Sequence, residues 1–251
     1  MKPELQAFER LTDIIEELRQ KCPWDKVQTF ETLRYLTIEE VYELSDTIVE
    51  SKPDEMKKEL GDLFMHLVFY ASIAREKGLF DMSDAINGVC EKLVFRHPHI
   101  YGSEEERKDP PSWEKIKMAE GRKSVLDGVP NSLPAMIKSL RMQEKAAGIG
   151  FKWEKPSQAH DKVVEEYREV QEELRKTGNQ DNIEEEFGDL FFALVGWARA
   201  NGVNPENALE KANRKFKQRF QKMEENANTA ISELGTDELL KLWNEAKKET
   251  K

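Results

Sequence analysis

Glu39-Glu40-Val41-Tyr42-Glu43 followed by Glu59-Leu60-Gly61-Asp62-Leu63-Phe64 forms an acidic pattern, and Glu165-Glu166-Tyr167-Arg168-Glu169 followed by Glu186-Phe187-Gly188-Asp189-Leu190-Phe191 repeats it. Each copy is an EExxE cluster, a spacer, then ExxD running into an apolar stretch. Carboxylates three or four residues apart share one helix face. Two such helices side by side aim several acids at one spot, and oxygen donors of this kind suit hard cations such as Mg²⁺, whose carboxylate sites most often serve phosphate chemistry. A solvated acidic face is the plain alternative for either cluster alone. Recurrence of both clusters in order, at a near-constant offset, argues against it and leaves a duplicated structural helix as the other reading.

Outward from the acids, the chain reads as helices. Leu5, Phe8, Leu11, Ile14, Ile15 and Leu18 recur at helical spacing and predict a first helix ending near Cys22-Pro23. After a loop through Trp24-Asp25, helices over 30–50 and 54–77 carry the first EExxE and ExxD. A fourth, capped by Ser83 or Asp84, reaches about Arg96. The residues after Asp62 are apolar nearly all round, which predicts a central, buried helix. Gly61 and Gly188 cost helix stability there, and close approach of a neighbouring helix would justify them. The second half repeats the plan, with helices about Leu133–Leu140, over 158–176, 181–200 and 206–225, and an unmatched one over 237–248. The stretch from His97 to Pro134 is rich in Pro, Gly and charge, and predicts a connector with one helix over 112–123. No period-two run is long enough for a sheet. The fold class is all-α, with tandem duplicated four-helix units over 1–100 and 132–251 and a connector over 101–131.

Composition narrows the partners. The net charge of −10 argues against a nucleic-acid binder, which needs a basic field. Cys22 and Cys90 are the only cysteines, so a zinc–thiolate site is excluded and a reduced, cytoplasmic protein is expected. The amphipathic start is not a secretory leader, and the apolar run Leu63 to Ile73 is too short to span a bilayer, so no membrane partner is expected. No Glu-x-x-His pair supports a di-iron bundle, and no Gly-rich phosphate loop is present. His160-Asp161 stands alone and reads as polarity at a helix start. Lys211, Arg214, Lys215 and Arg219 follow the second ExxD helix, three of them four apart. Singly they read as a solvated basic face; together, beside clustered carboxylates, they make a triphosphate clamp.

Cys22-Pro23-Trp24-Asp25, the paired EExxE and ExxD motifs, Arg96-His97-Pro98-His99 and the duplicated second half resemble the MazG family of nucleoside triphosphate pyrophosphohydrolases. The resemblance covers nearly the whole chain. It implies an all-α homodimer whose bundles draw helices from both chains, and Mg²⁺-dependent (or Mn²⁺-dependent) hydrolysis of NTPs or dNTPs to the monophosphate and pyrophosphate. It implies metal ligands Glu166, Glu169, Glu186 and Asp189 in the second unit, and Glu40, Glu43, Glu59 and Asp62 in the first. It also implies nucleotide contacts at Lys162, Glu185, Lys215, Arg219 and Trp243. Glu165 and Glu39 are left to orient or deprotonate the attacking water. A modified dNTP or a phosphoribosyl-ATP as substrate, or a non-enzymatic helical regulator binding nucleotide or a protein partner, are the alternatives. Both acid sets are intact, so activity of the first unit stays open.

Overall fold

The computed structural model describes residues 2–250 except Ser112, Glu114, Lys115, 117–119, Arg122 and Thr177. Among the described residues every regular element is helical. The chain forms two compact units, Met1–Pro110 and Pro111–Lys251, a boundary inside the stretch read as connector. The helix expected over 112–123 falls largely outside the described residues.

Unit 1 contains α1 (Pro3–Lys21), α2 (Pro23–Lys26), α3 (Phe30–Val49), α4 (Pro53–Glu76), α5 (Met82–Arg96), α6 (Pro98–Tyr101) and α7 (Glu104–Lys108). Proline opens α1, α2, α4 and α6, where its missing N–H costs nothing and its fixed φ suits the first turn. Gly78, at φ +65°, turns the chain out of α4. Two expectations change here. The loop through Trp24-Asp25 is the short helix α2. The cap of α5 is Asp81, whose carboxylate accepts from the Asp84 N–H at 2.9 Å while Asp84 accepts from the Asp81 N–H at 3.0 Å. That reciprocal pair satisfies two orphan donors, which a cap at Ser83 or Asp84 could not.

Ile15, Leu33, Val68, Phe69 and Ile73 form the unit 1 core, drawn from α1, α3 and α4. Arg19 ties its end together: its guanidinium donates to the carbonyls of Asp25 at 2.6 Å and Gln28 at 3.1 Å, pairs with Glu76, and lies over the Phe69 ring. The Cys-Pro-Trp-Asp turn is thereby fixed against α4.

Unit 2 contains α8 (Ala135–Gly148), α9 (Pro156–Glu173), α10 (Gln180–Ala200), α11 (Pro205–Asn226) and α12 (Thr236–Glu249), with a 3₁₀ turn at Ile231–Glu233. The α9–α10 pair packs along most of its length, α8 lies against α10, and α11 packs with α12. Lys145 is buried, and its ammonium donates to the carbonyls of Val125 at 3.1 Å and Asp127 at 2.9 Å, holding residues before α8 onto the unit.

The helices after ExxD are not buried all round. His66, Val68 and Phe69 of α4 are buried, but Leu60, Phe64 and Leu67 are exposed. Phe187, Phe191 and Leu194 repeat that exposed stripe on α10. A Cβ at Gly61 or Gly188 would meet nothing within 4 Å, so no helix among the described residues crowds either glycine. Among the described residues, each unit leaves one apolar face of its central helix uncovered.

Candidate active site

The acids are gathered by the pairing of α9 with α10 and of α3 with α4. In unit 2, carboxylate oxygens of Glu166, Glu186 and Asp189 lie within 4.8 Å of one another. Glu166 is only 5% exposed; Lys162, one turn earlier, meets it at 2.6 Å, and Glu166 Oε2 is buried yet accepts no hydrogen bond. Partial burial, then the charges of Asp189 and Glu166, raise Glu186 above the ordinary carboxylate value. Glu169 is raised first by hydrogen bonding with the Glu166 carboxyl, then by desolvation and Glu186. Lys162 also meets Glu165 at 2.9 Å, and these two acids hold its ammonium well above the usual lysine range. The cluster is thus an excess of negative charge, with Lys162 paired against it.

Unit 1 repeats the cluster with Glu40, Glu43 and Glu59, again within 4.8 Å. Desolvation, then Asp62 and Glu43, raise Glu40; desolvation, then Glu43 and Asp62, raise Glu59. Glu39 is exposed, as are Glu165 and Glu185. An orphaned buried carboxylate oxygen, mutually repelling acids and an oxygen-only donor set fit a hard divalent cation.

The two units differ in what adjoins the acids. In unit 2 a cavity of about 710 Å³ opens between α8, α9, α10 and the loop after α8. Lys162, Glu166 and Asp189 line one end. Its walls are Leu126, Met142, Ala146, Phe151, Trp153, Phe192, Ala193 and Gly196, and Gln143, Lys152 and Arg199 are its other polar residues. Sequence reading did not single out this lining, because much of the space comes from small residues and a missing side chain makes no motif. The signal lies in comparing the repeats. At the offset pairing Asp62 with Asp189, unit 1 has His66 for Ala193, Phe69 for Gly196 and Ser72 for Arg199. His66 and Phe69 are buried, the first beside Thr37 at 2.9 Å and the second in the core cluster. Unit 1 therefore fills with side chains the positions that unit 2 leaves open.

The expected clamp lies elsewhere on unit 2. Lys211, Arg214, Lys215 and Arg219 stand on α11, and none lines the cavity. Arg214 pairs with Glu210 at 2.7 Å, Arg219 donates to Thr250 at 3.2 Å, and Lys211 and Lys215 are exposed. Trp243 of α12 packs on Phe216 with ring centres 5.3 Å apart. His160 packs edge-on to Trp197, without a metal cluster among the described residues. No helix among the described residues is long and apolar enough to cross a membrane.

Residues 28–101 and 154–223 each match the family model of the MazG nucleotide pyrophosphohydrolase domain. A nucleoside triphosphate pyrophosphohydrolase/pyrophosphatase MazG of Thermotoga maritima is 42% identical over 96% of this chain and 95% of its own length. A nucleoside triphosphate pyrophosphohydrolase of Escherichia coli is 41% identical over 88% of both chains. A Bacillus subtilis protein, YabN, is 41% identical over 96% of this chain and 51% of its own length.

Proposed function

Because this chain belongs to the MazG nucleotide pyrophosphohydrolase family, we propose that its second unit hydrolyses nucleoside triphosphates, ribo or deoxy, to the monophosphate and pyrophosphate. One observation carries the reading: Glu166 and Asp189 belong both to the carboxylate cluster and to the lining of an apolar cavity. Such a junction suits a ligand with an anionic tail and a flat, largely apolar head.

A divalent ion, Mg²⁺ or Mn²⁺, on Glu166, Glu169, Glu186 and Asp189 would neutralise the triphosphate and acidify a water. Lys162 is the cation paired with that cluster. Its ammonium, now shared by Glu165 and Glu166, can turn to a phosphate oxygen as charge develops on the leaving pyrophosphate. Glu165 then loses its lysine partner and can orient or accept a proton from the attacking water; Glu39 would do the same in unit 1. Phe192, Trp153 and Ala146 exclude water around the nucleoside.

Lys211, Arg214, Lys215, Arg219, Glu185 and Trp243 would reach the substrate in a homodimer, from the partner copy or by closure of α11. The uncovered stripes Leu60, Phe64, Leu67 and Phe187, Phe191, Leu194, each beside an uncrowded helical glycine, support such an assembly. Two free thiols, Cys22 and Cys90, fit a reducing cytoplasmic setting. In unit 1, Glu40, Glu43, Glu59 and Asp62 would hold an ion without a nucleoside beside it.

The test is pyrophosphate release from the purified full chain with each NTP and dNTP, with Mg²⁺ and with excess chelator. Metal-dependent pyrophosphate is expected. Orthophosphate as the first product would refute cleavage at the α–β bridge, and full turnover in chelator would refute the metal.

A further inference from the structure

The cavity of unit 2 has a second polar end. Arg199 lies ten residues beyond Asp189 on α10, about 15 Å along the axis at about 1.5 Å per residue. Between them the same helix contributes Phe192, Ala193 and Gly196 to the wall. Phosphates engaged at the carboxylate end therefore leave Arg199 beside the opposite end of the ligand.

Arg199 stands in the last turn of α10, where a cation suits the helix dipole, but the dipole gives its side chain no hydrogen-bonding partner. It makes no ion pair among the described residues, and its Nε is buried without an acceptor. A desolvated guanidinium N–H lacking an acceptor is unfavourable, and the same side chain forms part of the cavity wall, so a small turn of the fork would bring it to a ligand there. Gln143 lies nearby on the cavity wall. Its Nε2 donates to the Phe192 carbonyl at 2.8 Å, which leaves Oε1 as an acceptor, directed at Gly196, where a Cβ would stand 2.8 Å from it. This end thus offers a forked cationic donor and one neutral acceptor.

We propose that Arg199 reads the nucleobase and favours a guanine nucleotide, an inference that rests on the cavity being the substrate site. Guanine presents O6 and N7 side by side, which a guanidinium meets with two parallel hydrogen bonds. Its N1–H or N2–H can donate to Gln143 Oε1. Adenine offers Arg199 one ring acceptor beside an amino donor that opposes it, and cytosine and uracil have no O6/N7 pair to present to the fork. Ser72 stands at the equivalent place in unit 1, so this recognition belongs to unit 2 alone.

The experiment compares wild type, Arg199→Met and Arg199→Lys as full-length proteins, with folding checked by circular dichroism. Pyrophosphate release gives kcat/KM for GTP, ATP, CTP and UTP, and inorganic tripolyphosphate serves as a competitive inhibitor that has no base. Wild type should prefer GTP. Arg199→Met should lose about 10- to 100-fold with GTP, the scale of one bidentate contact, and much less with the other three. Arg199→Lys should fall between, and tripolyphosphate inhibition should be unchanged. Four substrates falling by one common factor, or weaker inhibition by tripolyphosphate, would assign Arg199 to the phosphate tail or to the fold and overturn the proposal, as would a wild type with no base preference. A wild type that releases pyrophosphate from no nucleotide overturns the functional reading itself, and this proposal with it.

Discussion

Replacing Gly196 by Phe would give unit 2 the residue that fills unit 1 at Phe69. The backbone is helical at both positions, so the change acts through volume. A Cβ at Gly196 meets only the tip of Gln143 closely, at 2.8 Å, and that amide can swing aside. Overpacking of this kind costs about 1–3 kcal/mol, within the stability of an ordinary domain. The ring would occupy the middle of the cavity and displace the base. A base of aromatic side-chain size buries about 150 Å². At about 25 cal/mol per Å², losing that burial removes about 4 kcal/mol from the transition-state complex, or roughly 10²- to 10³-fold in kcat/KM. The carboxylates stay in place, so stabilisation of the protein by Mg²⁺ should survive. The assay is pyrophosphate release for kcat/KM, beside thermal melts with and without Mg²⁺. A folded Gly196→Phe protein with wild-type kcat/KM would show that the nucleoside does not enter this cavity; Ala193→His, borrowed from His66, repeats the test at a second wall position.

Four further outcomes are expected. Glu169→Ala or Asp189→Ala should lower pyrophosphate release by roughly 10²-fold or more, whereas Glu43→Ala or Asp62→Ala should leave most of it, and equal losses would show that both units turn over. The raised carboxyls Glu40, Glu59, Glu169 and Glu186 hold protons more tightly in the folded than in the unfolded chain. Their contribution is fully present below the unfolded value of 4.5 and is lost as pH rises through the raised folded values. Mg²⁺, competing with those protons, should therefore raise the melting temperature more at pH 7.5 than at pH 5; a rise as large or larger at pH 5 would contradict this. Lys215→Ala should reduce the turnover rate at saturating NTP by about 10²-fold if α11 meets the pyrophosphate, and a folded variant with the wild-type rate would remove Lys215 from the site. Phe191→Glu should shift the particle from dimer to monomer in light scattering at micromolar concentration, and an unchanged dimer would place the contact elsewhere.

Helices and acid register were legible because their causes are local. Proline at the first turn, glycine at the end and apolar spacing place α1, α3, α4 and α10 within a few residues, and the three- and four-residue intervals between acids guarantee a shared face. Glu166 and Glu186 then meet because their helices pair, which the repeated motif already implied. The cavity was hidden for the opposite reason. Ala193 and Gly196 matter by what they lack, and only the comparison with His66 and Phe69 exposes it. Arg199, a single cation in an apolar run near a helix end, belongs to no motif, and only the cavity beside it sets it apart. The cap at Asp81 was missed because Ser83 and Asp84 also suit capping, and the choice among them depends on which carboxylate reaches an orphan N–H. Phe64 and Leu67 are exposed where a buried helix is expected, because an apolar stripe does not reveal whether its cover comes from the same chain.

The bond from Lys145 to the Val125 and Asp127 carbonyls separates the repeated segment from the segment that folds. The repeat in unit 2 begins near α8, but the carbonyls that receive this buried ammonium, and the Leu126 side chain between them that forms part of the cavity wall, come earlier. A polypeptide begun at Leu133 would retain every acid of the cluster while losing one wall and two acceptors of a buried cation. Such a fragment would bind metal and turn over poorly, and its weakness would imitate dependence on the first unit. Division at Pro110–Pro111 keeps those contacts intact, so a difference between the two fragments would measure the part of the fold that the duplication did not copy.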